Sequence, residues 1–285
     1  LHAETVRPQA VFMSFCVYVI SRAWIVINPV TLITGASSGI GAEFARVFSA
    51  HGHRVALVAR RADCLNALAA EIAESGRMPP IVIPCDLGEA DAAERVAAAL
   101  TAESVEVKYL VNNAGYGLFG RAAELDRADQ LAMIDLNIRA LTDMALRFAP
   151  SLIRLRGGIL NVGSIGGFLP GPGMAVYYAT KAYVLSFSEA LRGELGPLGV
   201  RVTVICPGPV PSGFQARAGL KPGFDSAILN VSAKDVATDG YRALMANKRA
   251  VLPGLGIKIV PFLLRLFPRD FILWGVAGFQ MRKRP

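Results

Sequence analysis

Beyond residue 29 the chain alternates short apolar runs with longer segments in which apolar residues recur every three or four positions. The runs at 30–34, 54–59, 80–84, 107–111, 158–162 and 200–206 are rich in Val, Ile and Leu and bounded by Gly, Pro or Asn. That is the pattern of strands buried on both faces. Segments 40–51, 62–75, 89–102, 127–148 and 175–196 carry helical spacing between them. Strands separated by helices need crossover connections, and such connections give a parallel sheet. The expected fold is therefore α/β and doubly wound, a mostly parallel sheet with helices on both faces. No internal repeat or long linker divides the pattern, so 29–254 is expected to be a single domain.

The two ends break this rhythm. Residues 10–20 form an apolar run followed by Arg22, the outline of a signal peptide. Glu4 and Arg7 cancel, however, and no clear cleavage site follows. Residues 1–28 are therefore set apart as an extension, favoured as an extra structural element or as residues upstream of the natural start. At the other end, 255–285 alternates apolar residues with Lys258, Arg265 and Arg269 and closes on Arg282-Lys283-Arg284.

Composition narrows the function classes. With 53% apolar and 18% charged residues, the 285-residue chain has ample material for a core and is not disordered. Its longest uncharged run, 157–180, has the length of a bilayer span, but seven Gly and two Pro within it are wrong for a lipid-facing helix. Cys16, Cys64, Cys85 and Cys206 lie far apart, and with only three His neither a disulfide scaffold nor a metal cluster is expected. That usage suits a reducing, cytoplasmic setting. The net charge of +8 belongs almost wholly to the end: residues 1–247 hold 22 basic and 21 acidic side chains, whereas 248–285 hold eight and one. A neutral body without a basic–aromatic patch is not expected to bind nucleic acid.

Candidate chemistry begins at Thr34-Gly-Ala-Ser-Ser-Gly-Ile-Gly41, between the first strand and the first helix. Gly35 permits the turn, Gly39 lets a pyrophosphate approach the backbone, and Gly41 allows close helix–strand packing. The helix N-terminus offers free N–H groups to phosphate. No Lys-Ser/Thr pair follows, so this is not an ATP-binding P-loop. At the end of the second strand, where an acidic residue would bind a ribose 2′-hydroxyl, stand Arg60 and Arg61. Two guanidiniums suit a 2′-phosphate, which points to NADP(H); the alternative is that they merely begin a solvated helix. Further on, Tyr177 and Lys181 share a helical face, and a nearby ammonium lowers a phenol pKa, fitting it for proton transfer. On local grounds Tyr178 and Tyr183 are additional candidates.

Taken together, TGASSGIG (34–41), NNAG (112–115), Asn137, Ser164, YYATK (177–181) and PGPVPS (207–212) resemble, in order and spacing, the short-chain dehydrogenase/reductase family over roughly 30–251. The resemblance implies a Rossmann fold and a dinucleotide-binding and catalytic domain at 29–254. It selects Tyr177 as the acid/base, with Lys181 lowering its pKa and holding the nicotinamide ribose. Ser164 would hydrogen-bond the substrate oxygen. Asn137 would hold a water linking Lys181 to solvent, or else is a buried Asn satisfied by backbone. The cofactor would be contacted by Gly35, Ser37, Ser38, Gly39, Ile40 and Gly41, by Arg60 and Arg61, and by Asp86 and Leu87 beside the adenine. A plain helix N-cap competes for Asp86. Asn113, Ala114 and Gly115 would line the ribose, and Pro207, Gly208, Val210 and Ser212 the nicotinamide; Ser212 stands where the family usually has Thr.

Substrate selectivity in such proteins comes from the loops here at 116–121, 166–174 and 214–229. Their Phe119, Phe168, Leu169, Met174, Phe214 and Phe224 point to a hydrophobic carbonyl or alcohol. The expected activity is reversible hydride transfer between nicotinamide and that carbonyl or secondary alcohol, in a homodimer or homotetramer. An NADP-binding scaffold without turnover is the alternative. Two readings of the basic tail stand: a peripheral membrane segment, or an arm that covers the substrate pocket or packs across a dimer.

Overall fold

A computed structural model describes residues 28–211, 218, 231–254, 264 and 266–281. The apolar run at 10–20, most of the loop at 214–229 and the basic residues Lys258, Arg265 and 282–284 lie outside the described residues.

Every expected strand forms. They are β1 (Asn28–Thr34), β2 (Val55–Ala59), β3 (Ile81–Pro84), β4 (Val105–Asn112), β5 (Gly158–Val162) and β6 (Arg201–Ile205), joined by a two-residue β7 (Ala250–Val251). All pairs are parallel, in the order β3-β2-β1-β4-β5-β6-β7. Helices α1 (Gly39–Ala50), α2 (Ala62–Glu74), α3 (Ala92–Ala102), α4 (Arg127–Ile134), α5 (Leu141–Arg154), α6 (Ala175–Leu195) and α7 (Ala233–Met245) cover it, with α8 (Arg269–Met281) beyond.

Strand alternation divides the core in two. Leu32, Val58 and Ile159 point to the face packed by Val96 of α3, Met144 and Leu152 of α5 and Leu191 of α6. Ile33, Leu57 and Leu160 point to the other, against Phe44 and Phe48 of α1, Leu65 of α2 and Val236 and Leu244 of α7. The chain winds outward from β1 through β2 to β3, then returns to place β4 on the opposite side of β1. The carboxyl ends of β1 and β4 therefore flank the crevice where a doubly wound sheet binds its ligand.

Three expectations change. The helix expected over 127–148 is two helices joined by a π-helical stretch, Asp135–Ala140, and it runs on to Arg154. Asn137 sits in that stretch with its amide committed to neighbouring segments, a setting in which an α-helix widens. The helix expected from 89 begins at Ala92, because Asp86 Oδ1 accepts from Gly88 N at 2.9 Å and holds a turn there. Finally, α7 was not anticipated. It is announced by Ser232, whose side chain accepts from Asp235 N, and by apolar residues at 236, 237, 243 and 244. Gly240 brings it against α1: a Cβ there would stand 2.9 Å from the Phe44 ring.

Candidate active site

The crevice is a cleft of about 640 Å³ bordered by the loops after β1, β2, β3, β4, β5 and β6. On its phosphate side, Gly35 and Gly39 take left-handed backbone angles, φ +67° and +56°. Gly41 answers a different constraint: a Cβ would lie 2.2 Å from the Gly35 carbonyl oxygen. The loop is stitched to the end of β4. Asn113 Nδ2 donates to Thr34 O at 2.9 Å, and the Asn113 and Ala114 N–H groups donate to Thr34 Oγ1 at 2.9 and 3.0 Å. No side chain caps α1, so its first N–H groups stay available to an anion. Arg61 Nη2 donates to Ser37 Oγ at 3.0 Å and Ser38 Oγ at 2.9 Å, while Arg60 pairs with Asp86 at 3.6 Å. Both guanidiniums thus line the cleft, Arg61 on the glycine loop and Arg60 beside Asp86, exposed and with donors to spare. Asp86 caps no helix; its second oxygen holds the turn at Gly88.

Across the cleft, β5 delivers Ser164, which begins a 3₁₀ turn and accepts from Gly166 N at 3.1 Å. The first turns of α6 present Tyr177 and Lys181. The structure distinguishes the three tyrosines. Tyr183 turns away to Thr142, 2.8 Å, and stacks on Phe187. Tyr178 packs over Gly171, where a Cβ would meet its ring at 2.2 Å. Tyr177 shares a hydrogen bond with the Ser164 hydroxyl.

Burial governs this wall. It pushes the Tyr177 phenol up to about 12, with the Ser164 hydrogen bond opposing. The expected lowering of the phenol is therefore reversed in net direction. Burial also brings Lys181 down to about 8. Its ammonium donates to Val162 O at 2.8 Å and stands 5.9 Å from the Tyr177 ring centre. Beneath both lies Cys206, its thiol raised to about 12 by the same desolvation.

Asn137 is buried below the cleft surface. Its Oδ1 accepts from Tyr116 N at 3.1 Å, and its Nδ2 donates to Tyr116 O at 2.9 Å and Thr180 Oγ1 at 3.0 Å. Only the missing side chain of Gly115 separates it from Lys181: a Cβ there would be 2.9 Å from Asn137 Oδ1 and 3.7 Å from Lys181 Nζ.

Of the residues singled out, Gly35, Ser37, Ser38, Gly39, Ile40, Arg60, Arg61, Asp86, Leu87, Asn113, Ala114, Gly115, Ser164, Tyr177, Lys181, Pro207, Gly208 and Val210 line one cleft. Gly41 and Asn137 stand behind it, and Ser212 lies outside the described residues. Among the apolar walls expected for a substrate, Met174 lines the cleft. Phe168 instead packs towards Leu141 and Val184, because its 3₁₀ turn lies against α6. Phe119 and Leu169 are not among the lining residues, and Phe214 and Phe224 fall outside the described residues. The loops expected to set selectivity nevertheless meet: Phe119 N donates to Ala218 O and Gly120 N to Gly173 O. The sequence assigns no role to Thr34, Tyr116 and Thr180, since what matters is which distant carbonyl or amide each reaches.

Comparison with known proteins agrees with this arrangement. A family model described as short chain dehydrogenase matches residues 29–222. Sulfoacetaldehyde reductase of Chromohalobacter salexigens is 39% identical over 218 residues, covering 75% of this chain and 82% of that protein. The NADP-dependent 3-hydroxy acid dehydrogenase of Salmonella typhi is 39% identical over 181 residues, 63% of this chain and 71% of its own. A short-chain dehydrogenase from Sphingobium yanoikuyae, solved in complex with NADPH, superposes with a TM-score of 0.74 at 31% identity, over 90% of this chain and 96% of that one.

Proposed function

This chain belongs to the short-chain dehydrogenase family, and we propose that it is an NADP(H)-dependent oxidoreductase interconverting a hydrophobic carbonyl compound and its secondary alcohol. The observation that carries this reading is the convergence, on one cleft, of a Ser164–Tyr177 hydrogen bond and a buried Lys181 with a glycine loop flanked by two arginines.

The cleft fits a dinucleotide. Gly41 lets the glycine loop pack against α1 where a Cβ would meet Gly35 O, α1 offers uncapped N–H groups to a pyrophosphate, and Arg60 and Arg61 offer forked donors to a 2′-phosphate. The NADPH bound by the Sphingobium protein and the NADP dependence of the Salmonella one support this choice. The nicotinamide, when bound, supplies or takes up the hydride. The chain's own groups handle the proton. With a phenol raised to about 12, Tyr177 holds its proton at neutral pH and donates it to the oxygen of a carbonyl undergoing reduction. Ser164 orients that oxygen through the hydroxyl it already shares with Tyr177. Lys181, charged below about 8, would hold the ribose hydroxyls and stabilises the phenolate left behind. Asn137 fixes the backbone of Tyr116 against α6 and borders the gap beside Lys181, where a water would connect the ammonium to solvent.

The test is a panel of ketoacyl thioesters, steroids and small ketones with NADPH or NADH, followed by nicotinamide absorbance. NADPH-dependent reduction of apolar ketones is expected. Higher affinity for NADH overturns the cofactor assignment, and preference for a small anionic aldehyde overturns the substrate class.

A further inference from the structure

Helix α8 is built unlike every helix that covers the sheet. From Phe271 to Gly278 it carries no charged side chain, yet none of its residues at 269–278 is buried. Trp274 is 75% exposed and Phe271 56%, and neither joins either core face. Phe267, Phe271 and Trp274 fall at spacings of four and three, so they form one stripe. Their rings sit 5.5 and 6.1 Å apart in sequence along it. Leu273 adds to the exposed apolar surface, while Ile272 and Val276 are half-buried. A helix apolar all round belongs in a core or in lipid, and among the described residues neither core face contains it.

We propose that α8 docks in the interface of an anionic lipid membrane. Charge decides between lipid and a second copy of the chain. The segment 248–285 holds eight basic residues and one acidic, with Arg282-Lys283-Arg284 directly after the helix. A two-fold pairing through α8 would bring two such tails together and oppose like charges, and one partner helix would cover only one side. An anionic headgroup layer accepts the basic residues while the aromatic stripe enters the acyl boundary. Spanning is excluded by length: thirteen residues make about 20 Å of helix against a hydrocarbon core of about 30 Å. Among the described residues no helix is long and apolar enough to cross a membrane. The site faces solvent on a different element from the catalytic cleft, so this inference stands or falls apart from the enzymatic one.

The experiment is flotation of the full chain with vesicles of phosphatidylcholine alone or mixed with phosphatidylglycerol, at low and high salt. A Trp24→Phe background makes Trp274 the sole tryptophan, excited selectively near the red edge of its absorption. Binding to the anionic vesicles with a blue shift of Trp274 emission is expected, lost at high salt. Replacing Arg282, Lys283 and Arg284 by Glu should lower the partition constant on the order of a hundredfold. Phe267→Ser with Phe271→Ser and Trp274→Ser should abolish flotation while the far-UV circular dichroism and the melting temperature stay those of the wild type, which shows the variant is folded. Equal flotation with neutral vesicles, or flotation undiminished in the aromatic variant, overturns the proposal. So does a dimer that only the aromatic variant dissociates, because the stripe then belongs to a second copy.

Discussion

The two walls of the cleft solve different problems by different physics. The phosphate wall is backbone and surface: glycines that make room, uncapped N–H groups, and exposed Arg60 and Arg61. The catalytic wall is side chains out of water, where burial lifts Tyr177 to about 12 and lowers Lys181 to about 8. An anion recognised in solvent needs shape and charge but no altered acidity. Proton transfer depends on acidity, and desolvation shifts it at a cost in stability, bringing Lys181 towards neutral pH and moving Tyr177 away from it.

Substitutions should separate the walls cleanly. Tyr177→Phe strikes the catalytic wall hardest: turnover should fall roughly a thousandfold, while NADPH affinity measured by fluorescence titration barely changes. Retained turnover would break the distinction. Gly41→Ala strikes the other wall. Its Cβ would sit 2.2 Å from Gly35 O, so the loop must shift by about 1 Å, and cofactor affinity should drop on the order of a hundredfold.

Lys181→Met should sharpen the comparison by trading activity for stability. A lysine lowered from 10.5 to about 8 carries a burial cost present in full below pH 8. Between pH 8 and 10.5 the unfolded chain binds more protons than the folded one, so stability rises with pH and the cost vanishes above that window. That cost is about 3 kcal/mol at neutral pH. The variant should therefore be more stable by about 2 kcal/mol near pH 7, since Val162 O loses its donor, and by pH 10.5 the order should reverse, with the wild type ahead by about 1 kcal/mol. Denaturant titrations across pH check this. In the wild type, reduction should slow as pH rises through about 8 and Lys181 loses its charge. The smallest effect is Arg61→Ala, roughly tenfold weaker for NADPH and nearly neutral for NADH. Equal loss for both would mean that Arg61 only braces Ser37 and Ser38.

Much of the fold was legible because burial on both faces writes continuous apolar runs. The short β7 and the polar-faced α7 escaped, the first because two residues make no pattern and the second because its signal rested on the Ser232 cap. The π-helical stretch at Asp135–Ala140 could not be read, since it depends on what Asn137 reaches.

The sequence by itself determined the parallel sheet, the glycine loop and the residue types of the site, because each follows from local spacing. Only the tertiary structure decided which tyrosine meets Ser164, that Asn137 is clamped between Tyr116 and Thr180, and that Phe168 packs a core. It also decided the direction of the Tyr177 shift. A spacing of four places Lys181 near Tyr177, but how far water is excluded from both depends on β5, β6 and the loops that close over them. Desolvation is a property of everything packed around a group, and no single segment encodes it.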